Sequence, residues 1–127
     1  MLNFKVGRRY SRRAVQRAAG TEGKGGVWFN GVVPPAAARD FIIFATVGDA
    51  GRTGHDYANR WERDCLRWYH QKRSRLKWPG VRELLHSGVP IHVFWRISNK
   101  DPLFTYAGRA TASEVKDTTP VEILWSF

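Results

Sequence analysis

Between Arg60 and Arg82 two side-chain chemistries are interleaved. Arg60, Arg63, Arg67, Lys72, Arg73, Arg75, Lys77 and Arg82 carry positive charge, opposed only by Glu62 and Asp64, and Trp61, Trp68, Tyr69 and Trp78 fall among them. Cationic groups neutralise phosphates and release counterions, which gives affinity without sequence information. Aromatic faces stack on unpaired bases, worth roughly 1–3 kcal/mol each. Both kinds in one segment are what a base-holding site needs. The competing reading makes the rings core and the charges their solvent face. For any one tryptophan the two readings stand level; the whole set favours binding.

Other chemistries find less support. Glu114-Val115-Lys116 has the Glu-x-Lys pattern of a class of metal-dependent nucleases. That class also needs an aspartate, here Asp101 or Asp117, to hold magnesium. A three-residue match in a polar stretch reads more simply as a solvated strand end. His55, His70, His86 and His92 lack metal-ligand spacing. The single cysteine, Cys65, excludes an internal disulfide and zinc sites built on paired cysteines, and reads as a small buried apolar residue. No nucleophile elbow is present, and Gly23-Lys-Gly-Gly26 lacks the spacing of a phosphate loop. The expectation is therefore a binding protein with no catalytic residue, no metal and no cofactor.

The elements that must position these residues follow from the pattern. The chain has 127 residues, which suits one domain over 1–127 with one core. Its net charge of +10 favours a polyanionic partner. With no long apolar span and no signal-peptide pattern, a soluble cytoplasmic protein is expected. Ser11 to Ala19, closed by Gly20, reads as a helix. Gly20 to Pro35 reads as a loop presenting Trp28 and Phe29. Phe41 to Val47 is the clearest strand, apolar enough to be buried on both faces. Cys65 to His70 reads as a strand with Leu66, Trp68 and His70 on one face, and Gln71 to Lys77 as a basic loop. Pro79 opens a second helix ending near Gly88. Ile91–Ile97, a region from Leu103 to Val115 with a possible bulge at Gly108, and Pro120–Phe127 read as strands. The fold class is α+β: a curved, largely antiparallel sheet or partial barrel with two short helices.

Several short elements, in order, resemble a family. Phe4-Lys-Val-Gly-Arg-Arg-Tyr-Ser-Arg12 fits an opening of the form apolar-x-x-Gly-x-x-Tyr-x-Arg. Gly25-Gly26 with Trp28 and Gly31, Phe41-Ile-Ile-Phe-Ala-Thr46, Tyr57-Ala-Asn-Arg-Trp61, Ile91-His-Val-Phe-Trp95 and Tyr106-Ala-Gly108 follow. In this order they resemble the PUA-like domains related to SRA readers, found beside HNH restriction endonucleases and at the C-termini of some bacterial helicases. The resemblance implies a PUA-like barrel that flips a modified cytosine out of duplex DNA into an aromatic pocket. It implies Tyr57, Trp61, Trp68 and Tyr69, with Trp28, as pocket walls, and Asp64, His70 and Gln71 as readers of the base edge. Arg12, Arg13, Arg60, Arg67, Lys72, Arg73, Arg75 and Lys77 would grip phosphates. Where many relatives carry Gly-Glu-Gly-Gln, this chain has Tyr69-His-Gln-Lys72, which keeps only the glutamine. No HNH motif is present, so cutting or unwinding would belong to a nuclease or helicase partner. The alternatives are an RNA-binding PUA-like module, a small metal-dependent nuclease, and a membrane-surface or protein-interaction domain.

Overall fold

A computed structural model describes residues 2–20, 26–47 and 59–127 of the protein. In chain order it contains β1 (Arg9–Ser11), α1 (Arg12–Ala18), a 3-10 turn (Gly26–Phe29), β2 (Val32–Val33), α2 (Pro35–Ala38), β3 (Phe41–Thr46), β4 (Arg60–Glu62), β5 (Cys65–Tyr69), α3 (Pro79–His86), β6 (Ile91–Arg96), β7 (Leu103–Arg109), β8 (Thr111–Lys116) and β9 (Glu122–Ser126). Two sheets result. One has the order β1-β7-β6-β3-β2 and the other β4-β5-β9-β8. Among the described strands only β3 and β6 run parallel, in register from Phe41 opposite Ile91 to Thr46 opposite Arg96, and the other strand pairs are antiparallel; an isolated parallel bridge joins Val47 and Asn59. Among the described residues the sheets do not close into a barrel.

Burial of β3 on both faces, read from its apolar run, holds: every side chain from Phe41 to Ala45 is buried. Such a strand needs cover on each side. One face, with Phe41, Ile43, Ala45 and Val93, packs against Leu66, Trp68, Ile123 and Trp125 of the second sheet and Val81 and Leu84 of α3. The other, with Ile42, Phe44, Phe94, Phe104 and Tyr106, is covered by Val15 and Ala19 of the first helical segment, Trp28 and Ala38. Polar groups on that second face satisfy one another. The Tyr106 hydroxyl donates to His92 Nδ1 at 2.7 Å, and His92 Nε2 donates to Asp40 Oδ2 at 2.8 Å. Asp40 Oδ2 also accepts from the Leu2 amide at 2.9 Å. Burial raises the Asp40 carboxyl, but the Leu2 and His92 bonds outweigh it and hold the group ionised. Burial pushes His92 down, so its ring stays neutral.

The helix ends follow their local signals. Ser11 Oγ accepts from the Ala14 amide at 3.0 Å, capping α1, and Gly20 takes φ +73° just beyond its end. Pro79 starts α3, and Gly88 at φ +76° follows it. Gly108 takes φ +131° at a register shift between β6 and β7, the site of the expected bulge. Three details differ from the expectation. The segment before β3 holds a one-turn helix, α2, because Pro35 sits at its first position. The region from Leu103 to Val115 is two strands, which lie in different sheets. Cys65 opens β5 half-buried, not buried. No helix among the described residues is long and apolar enough to cross a membrane.

Candidate functional site

The basic loop between β5 and α3 is anchored at alternate positions. Ser74 is fully buried. Its Oγ accepts from the Val121 amide at 3.0 Å, tying the loop to the approach to β9, and its own amide donates to the Gln71 carbonyl at 2.8 Å. Leu76 and Trp78 pack against the inter-sheet core. With 74, 76 and 78 turned inward, Arg73, Arg75 and Lys77 are left exposed. Trp78 stays extended ahead of Pro79, and its amide donates back to the Arg75 carbonyl at 3.0 Å.

A recess of about 210 Å³ opens between this loop, α3 and the start of β3. Phe41, Trp78 and Val81 contribute apolar walls, with Val32, Pro34 and Gly80, while His70, Gln71 and Glu83 bring polar groups. The volume lies below the roughly 300–1,000 Å³ of drug-sized clefts and suits one planar ring. His70 Nδ1 accepts from the Gln71 amide at 2.7 Å, and burial pushes the ring's pKa down to about 4. At neutral pH the imidazole is therefore uncharged and carries its hydrogen on Nε2 as a donor. An apolar ring-sized space edged by an imidazole, an amide and a carboxylate can hold a flat heterocycle and hydrogen-bond its edge. On another side of α3 lies a wider cleft of about 660 Å³, lined by Arg75, Leu76, Lys77, Arg82, His86, Asp117 and Thr119.

Of the described residues expected to form a base pocket, only His70 and Gln71 line this recess. Trp28 and Trp68 are core residues, 2% and 3% exposed, so neither ring presents a face to a ligand. Trp28 was expected in an exposed loop, but the 3-10 turn buries it and leaves Phe29 outside, 77% exposed. Trp61 is half-buried near the free end of the second sheet, edge-on to Trp95 with centroids 5.4 Å apart and 5.7 Å from Phe127. Asp64 is exposed in the β4–β5 turn, and Tyr69 is half-buried with its amide donating to Asn59 Oδ1 at 2.9 Å. Tyr57 lies outside the described residues, as does His55.

The expected phosphate ligands divide in the same way. Arg67 is engaged by carboxylates on three other strands of its sheet. Its side chain is 10% exposed and holds Glu62 in a fork at 2.5 and 2.9 Å, Glu122 at 2.7 Å and Glu114 at 3.1 Å. Arg12 is engaged within the fold as well. It donates to the Trp28 carbonyl at 2.9 Å and lies over the Phe44 and Phe104 rings at 4.5 and 5.1 Å. Burial, aided by repulsion from Arg96, pushes its pKa down to about 10. Arg60 is exposed but pairs with Glu62 at 3.1 Å. Arg13, Lys72, Arg73, Arg75 and Lys77 are exposed. The Glu-x-Lys pattern is likewise absorbed into the Arg67 cluster, with Glu114 on Arg67 and Lys116 Nζ 3.1 Å from Glu122, while Asp101 pairs with Arg9. Sequence reasoning did not select Phe41, Trp78, Arg82, Glu83 or His86. Trp78 and Arg82 belonged to the basic-aromatic run and were legible there; Phe41 reads only as core.

A family profile described as "Domain of unknown function (DUF3427)" matches residues 4–124. No curated protein matches the chain. Among solved structures, one described as "crystal structure of KRYPTONITE in complex with mCHH DNA, H3(1-15) peptide and SAH" is similar, with a TM-score of 0.53 and 15% identity. The match covers 96% of this chain and 31% of that one, so this chain spans under a third of that protein's length. At that identity the likeness is one of fold, and it supports the SRA-like architecture expected from the sequence.

Proposed function

The chain belongs to the DUF3427 family, and we propose that it is a non-catalytic DNA-binding module, one domain over 1–127, that reads a modified base. The base is a 5-modified cytosine flipped from duplex DNA into the recess beside Trp78. The observation that carries this reading is the 210 Å³ recess with apolar walls and a polar edge, set beside a loop of exposed cations. The fold is shared with a protein solved with methylated DNA, which supports the same class of ligand. Extrusion of a base costs a few kcal/mol that the pocket must return. Trp78 would return part of it by contact with the ring, and the His70 Nε2 hydrogen and the Gln71 side-chain amide would bond the base edge. Any cutting or unwinding belongs to a nuclease or helicase partner or to another domain.

The test is a competition titration at fixed salt. Duplexes carry a central cytosine that is unmodified, 5-methylated, 5-hydroxymethylated or glucosylated, with single-stranded DNA and RNA of the same sequence as competitors. One modified duplex is expected to bind at least tenfold tighter than the unmodified one, and Trp78→Ala to reduce that ratio severalfold while leaving the unmodified duplex little changed. Equal binding to all duplexes overturns the reading, and preference for RNA replaces it with an RNA-binding module, since 2′-hydroxyl contacts separate the two.

A further inference from the structure

Helix α3 separates the ring-sized recess from the wider cleft. Arg82 and His86 stand four residues apart and share one face; Gly80 and Glu83 belong to another and line the recess. The wider cleft gathers Arg75 and Lys77 from the loop, Arg82 and His86 from α3, and Asp117 and Thr119 from the turn between β8 and β9. Arg75, Lys77 and Arg82 make no ion pair among the described residues, whereas Arg9, Arg60 and Arg67 each hold a carboxylate. Three like charges around one cleft, countered by Asp117 alone, repel one another until an anion enters. On the outer side of the second sheet, by contrast, Arg60, Arg67 and Lys116 are set against Glu62, Glu114 and Glu122.

We infer that the cleft is an anion site that takes a backbone phosphate of the duplex whose base enters the neighbouring recess, with Lys77 and Arg82 as its principal ligands. The inference rests on the base-reading proposal for the choice of duplex DNA. Arg82 supplies a planar fork suited to two phosphate oxygens, Lys77 a point charge, and Thr119 a hydroxyl donor. Because α3 forms a wall of both sites, one rigid element would set the spacing between base and phosphate.

Affinity is measured across a salt series for the wild type, Lys77→Gln with Arg82→Gln, and the control Lys100→Gln, which removes a charge from the turn between β6 and β7, outside the cleft lining. Thermal melting confirms that each variant folds. The double variant is expected to bind modified and unmodified duplexes at least tenfold more weakly, with the modified-to-unmodified ratio unchanged. Its slope of log affinity against log salt should shrink by about two units, one per contact removed. Arg82→Lys should keep most of the slope. A double variant within twofold of Lys100→Gln overturns the inference. A phosphate from a free nucleotide is the other source, so adenosine monophosphate is titrated by NMR. Submillimolar binding at Arg82 and Thr119 that fails to compete with duplex overturns the duplex assignment. If the wild type shows no preference among the cytosines, the base reading fails, and the salt slope still decides the cleft.

Discussion

Arg67 shows how one side chain decides the fate of several charges. It sits in the middle of β5 with Glu62 on the neighbouring strand β4, Glu122 on β9 and Glu114 on β8 beyond. Hydrogen bonds from Arg67 hold the Glu62 carboxyl below its usual range. Glu122 is lowered as well: burial raises it, but bonds from Tyr69, Lys116 and Arg67 prevail. Removing a buried partner strands the groups it neutralised. Arg67→Met should therefore lower the melting temperature by roughly 5 °C or more and leave the preference for a modified duplex intact, as read by thermal denaturation and the competition titration. A loss of duplex affinity with unchanged melting would show Arg67 to be a phosphate ligand after all.

At the scale of elements, the basic loop matters because it is held, not because it is charged. Ser74 is the tie, fully buried and bonded to the Val121 amide. Ser74→Ala leaves that amide without a partner in the core, at a cost of about 1–2 kcal/mol. The same change should make the amides of residues 72–77 exchange with solvent faster than in the wild type, while those of β3 and β6 keep their protection. Hydrogen exchange measured residue by residue separates this outcome from uniform loosening, which would mean that Ser74 is only a core-filling group.

For the whole molecule, stability and charge draw on different groups. His70 is pushed to about 4 and His92 is also lowered, both by burial. The unfolded chain therefore takes up protons at these rings below about pH 6.5 that the folded chain refuses, and stability falls as pH drops from there. Asp40, Glu62 and Glu122 are lowered in the fold. Their contribution is present above the ordinary carboxylate range and is lost further down, as pH falls through their folded values. Melting temperature should be level from pH 8 to about 6.5 and then decline in two stages. A melting temperature unchanged between pH 6.5 and 4.5 would contradict the burial of both rings. The surplus of +10, by contrast, acts over the surface and, on the proposed reading, would speed the approach of duplex DNA at a rate that salt suppresses.

What the sequence determined by itself were features with a local cause. The apolar runs of β3 and β6, the Ser11 cap, the Pro79 start, the glycines beyond α1 and α3 and the bulge at Gly108 are each set by neighbours a few residues away. The family-like order of short motifs carried the fold class with them. The tertiary structure decided which members of a uniform-looking set were spent and which were left over. Arg67 and Arg75 are indistinguishable as letters, yet Arg67 meets carboxylates 47 and 55 residues away, while Arg75 faces a cleft shared with Arg82. Trp68 and Trp78 sit in one aromatic run, yet one fills the space between two sheets and the other walls a recess. Periodicity reports which way a side chain turns relative to its own element. What it meets there depends on strands that pair across the chain, and that pairing is settled only when the two sheets close over one core.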